Sequence, residues 1–217
     1  MIASPWEAVL LKTPIHVLQA SLWHQSRVGL LGGSFNPPHR GHIHISRWAL
    51  RMLHLDAVWW MVTPGNPLKD PATYKPLPER LQMAQDCLTD DPRLLATDIE
   101  RALGTARSYD SLQALTRHFP QTSFAFLLGM DSALSFHRWY RWRDIPHLVP
   151  LAVFGRPPAV QIVKSCPLRR SQQYKHDMLS QAEFVDLAPS RCYWLHGGPL
   201  EDVSSTKIRK SFENNAL

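Results

Sequence analysis

With 217 residues, 44% of them apolar, the chain is long enough for one α/β domain with a substantial core, and it holds no apolar run of the length a membrane span needs. A net charge of +6 that is not gathered into one basic tract excludes the interleaved basic and aromatic pattern of an RNA-binding module. The charge by itself fits a nucleic acid or a polyanionic small molecule equally well; the partners expected are phosphorylated small molecules, with neither nucleic acid nor membrane. Three cysteines, Cys87, Cys166 and Cys192, lack metal-ligand spacing and read as the reduced thiols of a cytoplasmic protein.

Residues 1–26 read as a helical N-terminal extension. Ser4-Pro5-Trp6-Glu7 has the form of a capping box with proline in the first turn, and Thr13-Pro14 starts a second short helix. Polar residues through this stretch leave no signal-peptide core. Its use is open between packing and self-association into a homo-oligomer through Trp6 and Trp23. From Val28 the pattern alternates. Strands are predicted at Val28–Leu31, Ala57–Val62, Leu94–Thr97, Phe124–Leu128, Leu151–Phe154 and Tyr193–Leu195. Helices are predicted at Gly41–Leu53, Leu77–Leu88, Ser108–His118, Trp139–Ile145 and Ser204–Asn214. The stretch 157–189 is polar and irregular. Short continuous apolar strands separated by helices predict an α/β, Rossmann-like parallel sheet covered on both faces, spanning residues 27–217 as one domain. Such sheets bind ligands beyond the carboxyl ends of their strands, where strand order reverses.

The first strand runs into Gly32-Gly33-Ser34-Phe35-Asn36-Pro37-Pro38-His39-Arg40-Gly41-His42. Gly32 and Gly33 let a phosphate approach the backbone, with Ser34 and Phe35 in the same loop. The helix that follows aims its free N–H groups at that place, and His39 and His42 reach one anion from its first turn. Near the other end, Ser204-Ser205-Thr206-Lys207-Ile208-Arg209 sets three hydroxyls at a helix start with Arg209 one turn on, a second anion cradle. Taken alone it would better suit an ordinary serine-capped surface helix; paired with the first motif in one chain it reads as the cradle. Lys69, in the Pro64-Gly65-Asn66-Pro67-Leu68-Lys69 loop, suits either phosphate contact or plain solvation. Gly129-Met130-Asp131 follows the fourth predicted strand. There the Asp131 carboxylate can accept from ribose hydroxyls, cap the next helix, or both. No histidine spacing supports a metal site.

With these motifs in hand, residues 28–212 resemble the bacterial nicotinate-nucleotide adenylyltransferase family of the His-x-Gly-His nucleotidylyl transferase superfamily. The resemblance rests on the first motif, the Pro-Gly-Asn-Pro-Leu-Lys loop, Leu128-Gly129-Met130-Asp131-Ser132, Trp139-Tyr140, Phe154-Gly155-Arg156-Pro157 and Ser204-Ser205-Thr206-Lys207-Ile208-Arg209. It implies a transfer of AMP from ATP to nicotinate mononucleotide, giving deamido-NAD and pyrophosphate, with Mg²⁺ required. By position it implies that His39 and His42 meet the ATP phosphates and that Ser204, Ser205, Thr206 and Arg209 hold the β- and γ-phosphates. Gly129 and Asp131 would meet a ribose. Trp139 would stack on the pyridine ring, and the Tyr140 N–H would bind its carboxylate. The family carries Thr in a Tyr-Thr-x-x-Thr-Leu segment as a second carboxylate contact. This chain has Arg107-Ser108-Tyr109-Asp110-Ser111-Leu112, which gives that role to Ser108.

Overall fold

In a computed structural model, the protein is described at residue 17 and residues 19–65, 75–155 and 166–196. Among these residues seven strands form one sheet: β1 (Arg27–Gly33), β2 (Ala57–Val62), β3 (Leu94–Thr97), β4 (Ser123–Gly129), β5 (Leu151–Phe154), β6 (Lys175–Leu179) and β7 (Arg191–Leu195). Their order is β3-β2-β1-β4-β5-β7-β6, and each neighbouring pair is parallel. The helices are α1 (Arg40–Met52), α2 (Leu77–Asp86), α3 (Ile99–Ala102), α4 (Ser108–His118), α5 (Met130–Ser135), α6 (Ile145–Leu148) and α7 (Pro167–Arg170).

Alternation along the strands splits the core in two, because successive side chains leave a strand on opposite faces. Val28, Leu30, Trp59, Met61, Phe124, Phe126 and Leu128 face one cluster, shared with Leu112 and Leu115 of α4 and Met130 and Ala133 of α5. Leu31, Val58, Trp60, Val62, Ala125 and Leu127 face the other, shared with Trp48, Ala49 and Met52 of α1 and Leu81 and Ala84 of α2. With both faces covered, the strands can be apolar throughout, and β2 is buried at every position.

The order reverses between β1 and β4. The chain winds outward from β1 through β2 to β3, then returns to lay β4 on the other side of β1. The register pairs Leu31 with Leu127. The glycine-ended strands β1 and β4 therefore finish side by side, which opens a crevice at the carboxyl edge.

Two differences from the sequence-based expectation stand out. Trp139–Ile145 is not a helix. The chain there makes a bend and turns between the short 3₁₀ turn Phe136–Arg138 and α6, with Arg141 at φ +50°, a left-handed conformation that interrupts any right-handed helix. The polar stretch 157–189 contains α7 and the edge strand β6. Of the N-terminal extension, the described part is Val17, fully buried in the first cluster, and a 3₁₀ turn at Ala20–Trp23. Trp23 is used for packing, with its ring edge-on to Trp59 at 5.1 Å. The capping box at Ser4 and the helix at Ser204–Asn214 lie outside the described residues.

Candidate active site

The loop after β1 is built around one buried ring. Phe35 is 1% exposed and adopts φ +46°, an unfavourable conformation for a non-glycine residue, of order 1–2 kcal/mol. Packing over-determines it: Phe35 stacks on Trp60 of β2 at 4.7 Å with 10° between planes and tilts against His42 at 4.8 Å. A Cβ on Gly33 would stand 3.1 Å from the Phe35 ring, close enough that the ring would have to shift by a few tenths of an ångström to admit it. Gly32 is exposed; Gly33 and Ser34 are half-buried.

His39 is the N-cap of α1 and His42 sits in its first turn, with ring centroids 3.8 Å apart and planes 27° from parallel. His42 Nδ1 accepts from the His39 backbone N–H at 3.2 Å. The neutral imidazole therefore carries its proton on Nε2, as a donor. Behind it, Trp60 Nε1 donates to Ser46 Oγ at 2.7 Å, and Ser46 Oγ donates to the His42 carbonyl at 2.9 Å. Helix geometry adds first-turn N–H groups at the same end of α1. The pair can thus present several donors to one anion without a side-chain nucleophile. Thiols are unsuited to that role: burial pushes Cys192 up to about 12 and also raises Cys87.

Across the crevice, Gly129 is the N-cap of α5 and Asp131 is an exposed residue in that helix's first turn, so Asp131 is not the cap. A Cβ on Gly129 would lie 3.7 Å from Ile45 Cδ1, which shows α1 crossing the end of β4. A third corner joins α4 to the turn after α5. Ser108 opens α4, and Tyr109 meets the half-exposed ring of Tyr140 edge-on at 6.3 Å. Arg107 lies over the Tyr140 ring at 4.4 Å and Arg141 over the Tyr109 ring at 4.1 Å. Two guanidinium groups thus flank this corner. Trp139, half-buried, tilts against Phe136 at 5.2 Å and meets Phe126 edge-on at 6.2 Å.

The structure therefore brings Gly32, Gly33, Ser34, Phe35, His39 and His42 into one loop and helix start, Gly129 and Asp131 to the neighbouring strand end, and Ser108 and Tyr140 into one corner. Lys69, Ser204, Ser205, Thr206 and Arg209 lie outside the described residues. Sequence reasoning passed over Arg80 and Glu100, which are 1% and 4% exposed. The one signal was phase: Arg80 falls among the buried positions Leu81 and Ala84 of α2, where a charged residue is out of place.

Among the described residues, no group of three or more His, Cys, Asp or Glu is placed to hold a metal ion, and no helix is long and apolar enough to cross a membrane. Residues 30–211 match the cytidylyltransferase-like family. A probable nicotinate-nucleotide adenylyltransferase of Methylorubrum extorquens is 43% identical over 185 residues, covering 84% of this chain and 98% of the relative. Proteins of the same name from Cereibacter sphaeroides and Parvibaculum lavamentivorans are 44% and 41% identical, covering 84% and 85% of this chain and 95% and 91% of themselves. In fold, the chain is similar to the Plasmodium falciparum nicotinic acid mononucleotide adenylyltransferase complexed with NaAD, with a TM-score of 0.63 at 17% identity over 85% of this chain and 83% of that one.

Proposed function

We propose, given that this chain belongs to the nicotinate-nucleotide adenylyltransferase family within the cytidylyltransferase-like group, that it transfers AMP from ATP to nicotinate mononucleotide and releases pyrophosphate. The observation that carries the reading is the stacked His39–His42 pair at the start of α1, set beside the reversal between β1 and β4. An anion seated there meets ring donors and a helix N-terminus together.

The phosphate of the mononucleotide attacks the α-phosphorus of ATP. A new P–O bond forms, the bond to the β-phosphate oxygen breaks, and the electron pair leaves with pyrophosphate. The attacking phosphate is already anionic, so the protein's work is alignment and charge stabilisation. His42 donates from Nε2, and His39 beside it adds a second imidazole to the α-phosphate oxygens. Gly32, Gly33, Ser34 and Phe35 shape the floor under the triphosphate. Asp131 accepts from a ribose hydroxyl at the end of β4. Lys69, Ser204, Ser205, Thr206 and Arg209 hold the β- and γ-phosphates. Mg²⁺ would come as part of the substrate, MgATP, where it would supply positive charge to the pyrophosphate oxygens. The protein works in the cytoplasm as one domain with an N-terminal extension.

The pyridine carboxylate belongs in the corner of Ser108 and Tyr140. The Ser108 hydroxyl, first-turn N–H groups of α4 and the Tyr140 N–H are all donors, and Trp139 offers a ring to stack on. Donors reward an anion and leave an amide NH₂ facing other donors. The flanking Arg107 and Arg141 deepen the preference through their positive charge.

A pyrophosphate-release assay with ATP and a panel of acceptors tests this. Turnover is expected with nicotinate mononucleotide, at a kcat/KM at least about 100-fold above its amide counterpart, because the amide leaves donors facing donors. Equal efficiency with both would remove the pyridine assignment. Turnover with neither would remove the reaction.

A further inference from the structure

Arg80 is 1% exposed, and its guanidinium is spread over main-chain carbonyls. Nε donates to Lys75 O at 2.8 Å, Nη1 to Ser34 O at 2.8 Å and to Thr63 O at 2.9 Å, and Nη2 to Pro64 O at 3.3 Å. Those acceptors belong to three segments: the loop after β1, the loop after β2 and the start of α2. A planar cation with five donors in a fixed fork can span three segments at once, and an ammonium cannot. The same segments are tied a second time, because Asn36 Oδ1 accepts from the Lys75 N–H at 3.3 Å, and Thr63 N–H donates to Gly33 O at 3.0 Å.

The contact continues in both directions. Ser34 precedes Phe35, whose ring packs on His42 at 4.8 Å, so one residue and one ring contact separate the Ser34 carbonyl from the imidazole. On the other side, the Thr63 hydroxyl bonds the buried carboxyl of Glu100, which accepts from Ser111 Oγ at 2.8 Å. Ser111 Oγ also bonds Thr105 Oγ1 at 2.8 Å and the Arg107 carbonyl at 3.1 Å, at the start of α4 where Ser108 sits. A buried polar line thus runs from the histidine loop to the pyridine corner, with Arg80 at its phosphate end.

We propose that Arg80 is a positioning residue for the adenylyl transfer: it fixes the loops after β1 and β2 at the separation that aligns the histidine pair with the acceptor. This rests on the reaction proposed above. Arg27 supplies a matched control. It too donates to carbonyls of separate segments, Leu53 O at 2.9 Å, His54 O at 3.1 Å and Val185 O at 2.8 Å, but at the amino edge of β1.

The experiment compares Arg80→Lys, Arg80→Gln and Arg27→Lys with the wild type, reading melting temperature, kcat and both KM values per folded molecule. Arg80→Lys is expected to lose about 10²-fold in kcat, the cost of a displacement near 1 Å at reacting groups. Its KM for ATP and for the mononucleotide should stay within about threefold, since substrate contacts remain. Arg27→Lys should lower the melting temperature with kcat unchanged. Wild-type kcat in a folded Arg80→Lys, or a fall matched by Arg27→Lys, overturns the inference while leaving the reaction standing. If Arg80→Lys does not fold, Arg80→Gln is read the same way, and failure of both to fold at any temperature also overturns it. No turnover by the wild type defeats the reaction first.

Discussion

The two edges of the sheet use the same chemistry to different ends. At the amino edge, Arg27 donates to carbonyls of the α1 terminus and of the segment before β7, stacks its guanidinium 4.2 Å from the exposed Phe184 ring, and takes the Asp56 carboxylate on its backbone N–H at 2.7 Å. At the carboxyl edge, Arg80 grips the two loops that carry or face the histidines and is almost wholly buried. One arginine closes the bottom of the sheet, where connections turn and leave. The other governs a gap that substrate must fill. A tether at the first edge acts on the folded-unfolded balance, whereas a tether at the second acts on geometry within the folded state.

That division can be broken or sharpened by substitution. The largest effect belongs to His42→Ala, expected to lower kcat by about 10²–10³-fold, the usual cost of one donor to developing charge, with the melting temperature little changed. Wild-type turnover would take His42 out of the mechanism. Next come two glycines of β1, Gly29 and Gly33, four residues apart on one strand. A Cβ at Gly29 would stand 2.8 Å from Leu55 Cδ1 and 2.9 Å from Leu127 Cδ1 in the packed core. Gly29→Ala should cost about 1–3 kcal/mol of stability in denaturant titration and leave kcat intact. A Cβ at Gly33 would press on Phe35 instead. Gly33→Ala should lower kcat by about tenfold through a shifted ring, with a smaller loss of stability. If both glycines report only in stability, the carboxyl edge is no different from the rest of the sheet.

The smallest effect concerns pH. Burial holds the Glu100 carboxyl above its ordinary value near 4.5, only partly offset by hydrogen bonds from Ser111 and Thr63. The folded state therefore keeps the proton where the unfolded chain has released it. Stability from this group is full below the ordinary value and is lost as pH rises towards the folded value. Glu100→Gln should flatten the fall in melting temperature above pH 4.5 that the wild type shows, and an unchanged profile would mean that Glu100 is ionised in the fold.

What the sequence made legible follows from burial. Strands β1, β2, β4 and β5 are buried through their middles and read as unbroken apolar runs. Strand β6 was missed because it pairs on one side only and is exposed or half-buried up to Leu179, so Lys175-His176-Asp177 carries no hydrophobic period. The helix expected at Trp139–Ile145 failed on a backbone choice, the left-handed Arg141, that no local propensity announces. The histidine loop was legible as a motif because its glycines and histidines are adjacent in the chain. Arg80 and Glu100 were not, because their partners lie on other segments: Ser34 is 46 positions from Arg80, and Ser111 is 11 from Glu100. A charged residue in a helix reads as surface until tertiary contacts say otherwise.

Arg80 takes hold of main-chain oxygens, and every amino acid supplies one. The side chains at positions 34, 63, 64 and 75 can thus be rewritten, by drift or by an engineer, while the grip beneath them persists. Exchanging the side chains at positions 64 and 75, which have no part in the proposed reaction, leaves that grip in place for as long as the arginine itself is kept.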